Sequence, residues 1–206
     1  MQWMEKVQEV LFNPSEYFKQ MPTEGGYRDP TIFALKNITI YSVLSALISY
    51  VGFKFLSIGM GLGSNLSGAT SGLAEVFVIV GVIAGIIGGI VGVYLGSAIV
   101  HVFLYLLGGK GDYESTFRVA SSVTATTLFS WIPFVNIIAG IYALFLQVIG
   151  FSEVHEISKA RSLFAILLPI LIVVAIVGVM FMLFFSMMST MPSTVSPGMV
   201  GNFLLD

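Results

Sequence analysis

Charged residues divide this chain into long apolar blocks. No Asp, Glu, Lys or Arg occurs between Lys36 and Lys54, from Val76 to Leu107, from Val119 to Ser152, or from Ser162 to Leu205. A hydrocarbon core about 30 Å thick takes roughly 20 apolar residues as helix, so each block accommodates a crossing. The third block holds a break, Trp131-Ile132-Pro133-Phe134-Val135-Asn136. Proline removes a backbone donor and biases the residue before it away from helix. The break predicts a tight reversal between two spans, with one helix kinked at Pro133 as the competing reading.

The basic residues arbitrate, because cytoplasmic loops collect Lys and Arg. Five spans with a cytoplasmic N-terminus place Lys6, Lys19, Arg28, Lys36, Lys110, Arg118, Lys159 and Arg161 inside and leave only Lys54 outside. Four spans move Lys159 and Arg161 to the outer side. The pattern therefore predicts an all-α, polytopic membrane protein with five transmembrane helices, at about 34–57, 76–107, 114–132, 134–151 and 162–188. A cytoplasmic or interfacial arm over 1–30 precedes a membrane domain over 31–190, and a short extracytoplasmic tail covers 191–206. The first apolar run follows Glu5, Glu9, Glu16, Glu24 and Asp29 and reads as an uncleaved span rather than a signal peptide.

Composition agrees. Hydrophobic residues make up 56% of the chain and charged ones 10%, with a mean hydropathy of +0.95; a soluble domain carries about 25% charged residues. A soluble enzyme and a disordered chain are both excluded. A net charge of −2 supplies no basic field for nucleic acid. The absence of Cys removes disulfides, thiolate metal sites and Cys nucleophiles.

Within the arm, Trp3, Val7, Val10 and Leu11 share one helical face opposite Glu5, Gln8 and Glu9. This predicts an N-terminal interfacial amphipathic helix, with packing under the bundle as the alternative. Asn13-Pro14-Ser15-Glu16 marks a fresh helix start, with Asn as N-cap and Pro at N1, and Tyr17 and Phe18 follow as interface anchors. The second span carries two GxxxG ladders, Gly81, Gly85 and Gly89, and Gly88, Gly92 and Gly96. Such steps let helices approach closely, inside the bundle or at an oligomer seam. The third span holds Ser121, Ser122, Thr124, Thr126, Thr127 and Ser130. These hydroxyls serve as helix–helix bonds or line a groove for a headgroup or ion.

Two cytoplasmic loops hold most of the remaining chemistry. In Gly108-Gly109-Lys110-Gly111-Asp112-Tyr113-Glu114-Ser115-Thr116 there is no Walker A spacing. Asp112 reads as the N-cap of the next helix, with Glu114 favourable at its positive end. In the second loop, 152–161, Ser152 is expected to cap and Glu156 to pair with Lys159. His101, Glu153, His155 and Glu156 are weak candidates for a metal site, because their spacing matches no recognised ligand pattern. No metal, cofactor or catalytic residue is assigned, and no enzyme is expected, since paired carboxylates and a Ser with a base are not apparent. The methionines between Met180 and Met199 read as apolar filler rather than a Cu(I) site. Asn65-Leu66-Ser67 is a glycosylation acceptor sequence.

The chain resembles the Yip family, the Ypt/Rab-interacting integral membrane proteins. The resemblance rests on Trp3 followed by Val10-Leu11-Phe12-Asn13-Pro14-Ser15-Glu16-Tyr17-Phe18, on Gly108-Gly109-Lys110-Gly111 with Tyr113 and Thr116-Phe117, on Ile132-Pro133, and on Glu153-Val154-His155-Glu156-Ile157-Ser158. It implies a five-helix, non-enzymatic membrane domain with a cytoplasmic N-terminus. Eukaryotic relatives work in vesicle-mediated transport and bind Rab-type GTPases and one another. Without their long N-terminal region, this sequence looks more like the compact prokaryotic-type members, and the resemblance implies the cell membrane if the protein is prokaryotic.

The expected function is a scaffold or adaptor that recruits partners through Trp3, Pro14, Phe18, Gly108, Gly109, Lys110, Tyr113, Phe117 and His155. Expected partners are the lipid bilayer, a second copy or related membrane protein, and, by resemblance alone, a small GTPase; no nucleic acid is expected. The alternative is a small transporter, channel or lipid-handling protein using the Ser/Thr-rich third span.

Overall fold

The computed structural model describes residues 2–59 and 69–190. Every element in them is helical. The arm consists of α1 (Trp3–Phe12) and α2 (Pro14–Gln20). Two long helices follow, α3 (Arg28–Gly59) and α4 (Ala69–Leu106). Next, α5 (Tyr113–Val123) runs through a 3-10 turn at Thr124–Thr126 into α6 (Thr127–Ser130). The last two are α7 (Val135–Val154) and α8 (Lys159–Thr190). The acceptor sequence at Asn65, the tail over 191–206, Met191 and Met199 lie outside the described residues.

Among the described residues, four helices are long and apolar enough to cross a membrane: Arg28–Gly59, Glu75–Leu106, Val135–Val154 and Lys159–Ser189. They carry the first, second, fourth and fifth expected spans. The third, 114–132, falls on α5, the turn and α6, and is not one of these four. Its physical setting differs. From Ser115 to Thr126 every residue except half-buried Ala120 is buried, and α5 packs against α1, α3, α4 and α7. Three of its hydroxyls donate within the helix, Thr124 Oγ1 to the Ser121 carbonyl at 2.6 Å, Thr126 Oγ1 to Val123 at 2.9 Å and Thr127 Oγ1 to Thr124 at 2.7 Å, whereas the buried Ser121 Oγ has no hydrogen-bond partner. Polar side chains are affordable at such a position because they meet protein rather than lipid.

The break at Pro133 is a reversal, not a kink. Phe134 adopts φ 68°, in the left-handed region, and α7 packs back along α5 and α6.

The chain divides into two compact units, Met1–Leu167 and Leu168–Asp206. The division falls beside Pro169 inside α8, where proline cannot donate the helical hydrogen bond. The second unit, described to Thr190, consists of apolar helical turns whose side chains are exposed from Ile170 to Ser189. In the first unit, one core joins Val10 and Phe18 of the arm to Leu104, Val119, Leu146 and Phe151. The arm is thus part of the core. Val7, Val10 and Leu11 face inward, while Met4 and Phe12 are exposed. Pro14 does open α2, but the Asn13 side chain makes no capping bond.

The glycine ladders divide by contact. A Cβ at Gly85 would lie 2.9 Å from Ser42 Oγ, and one at Gly89 2.7 Å from Ile38 Cγ2, so these two carry the close approach of α4 to α3. At Gly81, Gly88, Gly92 and Gly96 a Cβ would meet nothing within 4 Å.

Candidate functional site

The 107–112 loop, after α4, and the 155–158 loop, after α7, meet at one end of the first unit. The C-terminus of α4 closes with Gly108 N–H donating to the Tyr105 carbonyl (3.0 Å) and Gly109 N–H to the Leu104 carbonyl (2.9 Å). This is a Schellman closure with Gly108, at φ 89°, in the left-handed position. Gly109 and Gly111 serve close approach. Their Cβ atoms would lie 3.0 and 2.9 Å from His155 Nδ1, and that of Gly111 2.7 Å from the Val154 carbonyl. The three glycines therefore let this loop close over His155.

His155 is fully buried. Its carbonyl accepts from Lys110 N–H at 3.1 Å, tying the two loops together. Thr116 Oγ1 lies 2.8 Å from His155 Nε2 and 2.8 Å from His101 Nδ1, so one hydroxyl bridges both histidines. Burial, reinforced by the neighbouring His101, pushes the His155 pKa down to about 4. Asp112 caps α5 as expected, accepting from Ser115 N–H at 2.8 Å.

The expected metal candidates separate. His101 and His155 share Thr116, but Glu156 points away to Lys110, and among the described residues no group of three or more His, Cys, Asp or Glu converges. Two local expectations are corrected. Ser152 is not a cap: α7 continues to Val154, and Ser152 Oγ donates to the Ile149 carbonyl. Glu156 pairs with Lys110 at 3.0 Å rather than with Lys159. The cause is a second Schellman closure, in which Glu156 N–H donates to Glu153 and Ile157 N–H to Ser152. It puts Glu156 at φ 53° and turns its side chain toward the other loop.

The remaining expected interface residues divide into interior and surface. Phe18 and Phe117 are buried. Tyr113 is half-buried and donates to the Tyr94 carbonyl at 2.9 Å. Trp3 is half-buried, and its Nε1 donates to Asn37 Oδ1 at 3.0 Å; Pro14 is half-buried at the start of α2. Gly109 is buried, whereas Gly108 and Lys110 are exposed. Lys110 and Glu156 side chains are 75% and 68% exposed and form an ion pair on this end.

A clamp on the arm was not singled out in the sequence. Glu114 Oε1 accepts from Arg118 Nε (3.0 Å) and from Gly26 N–H (2.6 Å), while Arg118 donates to the Gly26 carbonyl (2.9 Å). Their i,i+4 spacing is the signal that could have marked the pair. Nearby, burial lowers the Lys6 pKa to about 8 and raises that of Tyr17 to about 12, the latter donating to Ser122 Oγ.

Four span-length apolar helices and a wholly helical first unit define a multi-pass integral membrane protein. The chain belongs to the Yip1 domain family, whose model matches residues 9–201. Neither a curated protein nor a solved structure matches it.

Proposed function

We propose that this Yip1-domain protein is a non-enzymatic membrane scaffold that recruits a partner through the end carrying Lys110 and Glu156, facing the cytoplasm. The N-terminus lies on that side, five segments cross, and α5–α6 is the third crossing. The observation that carries the reading is Glu156 itself. It occupies a left-handed position that glycine fills at lower cost. An exposed ion pair returns less than about 1 kcal/mol, so fold stability does not account for a glutamate there. Strained residues of this kind concentrate at functional positions. Around the pair, Lys110 N–H to His155 and the Gly26–Glu114–Arg118 clamp hold the surface in one shape, which limits the entropy lost on binding.

Family membership suggests a small GTPase as one partner class. A second copy is another, and the open position at Gly88 on α4 supports self-association there. The test separates stability from recruitment. A photo-crosslinker at position 110 in native membranes should give a discrete adduct. Glu156→Gly should diminish that adduct while thermal stability stays equal or rises. An adduct indifferent to Glu156→Gly, or none above background, refutes the reading.

A further inference from the structure

Thr116 has one hydroxyl proton but meets two imidazoles, His101 Nδ1 and His155 Nε2, each at 2.8 Å. With both rings neutral, one ring donates to Oγ1 and the other accepts from it. The far side of His155 decides the direction. Its Nδ1 is buried without a hydrogen-bond partner and packs against the backbone of Gly109 and Gly111. Orphaned buried N–H groups are rarer than under-satisfied acceptors. Nδ1 therefore carries the lone pair, Nε2–H donates to Thr116, and Thr116 donates on to His101. The buried Ser42, Ser121 and Ser162 hydroxyls also lack partners, but hydroxyls do not titrate, and this nitrogen does.

A proton arriving at Nδ1 finds neither an acceptor nor water in the closed loop, and a buried charge without either is expensive. It also stands beside His101, whose ring centroid is 5.7 Å away. The surrounding elements offer little compensation. Asp112, exposed at the start of α5, favours the proton, and His101 opposes it. Glu156 is paired with Lys110 and Glu114 with Arg118, while the Tyr113 hydroxyl donates to the Tyr94 carbonyl. Glu153 is half-buried on α7, and Lys159 and Arg161 are exposed on α8. A charged ring is served only by leaving the glycine loop for water. That movement strains the fastening of the two loops, because Lys110 N–H donates to the carbonyl of His155 itself, at 3.1 Å.

We infer that His155 is an acid-released latch: a proton on Nδ1 drives the 107–112 loop off the ring and loosens the Lys110–Glu156 surface, so that recruitment holds at neutral pH and lapses on acidification. The opening is independent of the scaffold reading; only its consequence for recruitment rests on that reading.

The test uses the full chain in lipid nanodiscs. It holds only two histidines, so isotope-labelled histidine resolves both rings by magnetic resonance, and at neutral pH His155 should show Nε2–H and a bare Nδ1. Amide hydrogen exchange, corrected for its intrinsic rate, reports the loops. Opening lets the ring titrate near 6.5 instead of about 4. Protection of the Lys110 amide should therefore fall about 25-fold from about pH 7.5 to about pH 5, while amides of α3 stay unexchanged. His155→Gln keeps a side-chain N–H but takes up no proton, and should hold that protection constant; His101→Gln should retain a fall. A photo-crosslinker at position 110 should lose its adduct in acid, and keep it when His155→Gln is added. Protection that stays constant in the unaltered chain, falls equally in α3, or falls as far in His155→Gln overturns the inference. So does a His155 ring that is protonated while Lys110 stays protected, which would mean that the closed loop accommodates the charge. Exchange and titration as expected, with no adduct at any pH, uphold the latch and refute the scaffold reading alone.

Discussion

The His155 imidazole is enclosed by the glycine-rich loop and held by Thr116, and it stays neutral far below the usual histidine range. An unfolded chain protonates this group near 6.5, the folded one near 4. Between those values the unfolded state binds more protons, so stability falls as pH is lowered through 6.5 and the loss is complete near 4. The size is about 3 kcal/mol. Thermal unfolding in detergent should therefore show midpoints that descend from about pH 7 to about pH 5, and His155→Gln should flatten the profile. A wild-type midpoint that does not move assigns the effect elsewhere. Gly150 makes a second case at this scale. A Cβ there would lie 2.5 Å from Val119 Cγ1 and 3.0 Å from the Phe18 ring, so Gly150→Ala should cost about 1–3 kcal/mol. Gly140→Ala, in open space on the same helix, should be neutral or stabilising by up to about 1 kcal/mol. Differential thermal stability of the pair checks both. His155 stands out in the sequence as part of a motif, but its role depends on Gly109, Gly111 and Thr116 arriving from elsewhere in the chain. Gly150 carries no sequence signal, since the side chains that crowd it come from α2 and α5.

For the elements, the attachment of α1 turns on Asn37. This fully buried amide accepts from Trp3 Nε1 and donates to Thr124 Oγ1 at 3.1 Å, linking α1, α3 and the 3-10 turn. Asn37→Ala leaves the half-buried Trp3 Nε1 without its acceptor, at about 1–3 kcal/mol, and should free α1 from the core. Trp3 shares its fluorescence with Trp131 alone, so in a Trp131→Phe background its emission should shift to the red, with faster proteolysis after α1. Unchanged emission would mean that Val7, Val10 and Leu11 suffice to hold the helix. Periodicity and turn chemistry made most helices legible: Pro133 marked the reversal, Asp112 the start of α5, and Pro14 the start of α2. The end of α7 was not legible. Closures of that kind favour Gly or Asn, and Glu156 fills the position instead, which is why Ser152 and Lys159 were given roles they do not have. The α5–α6 segment was legible in position but not in kind, because its burial by four other helices is a tertiary property.

At the scale of the molecule, where the loops meet bears on the proposed third crossing. Lys110, just past the end of α4, and His155, at the end of α7, are joined by a hydrogen bond of 3.1 Å. The 20 residues of α7 are long enough to cross a membrane, about 30 Å as helix. If α7 crosses and returns to Lys110, the reversal at Trp131–Phe134 lies at the far side. The segment leading there from Lys110, α5 through α6, must then cover the same distance. In that arrangement it would be sheltered by protein, which would make a helix containing Arg118 and six hydroxyls at 121–130 compatible with an apolar surround. The chain has no cysteine, so single introduced cysteines report topology without background. With a membrane-impermeant maleimide on intact cells, Ser57→Cys should label directly. Lys110→Cys and Arg161→Cys should label only after permeabilisation. Labelling of 110 and 161 from opposite sides would exclude the third crossing, and would require that the bond between Lys110 and His155 be broken in the membrane; their common protection is the outcome expected if α5–α6 and α7 both cross.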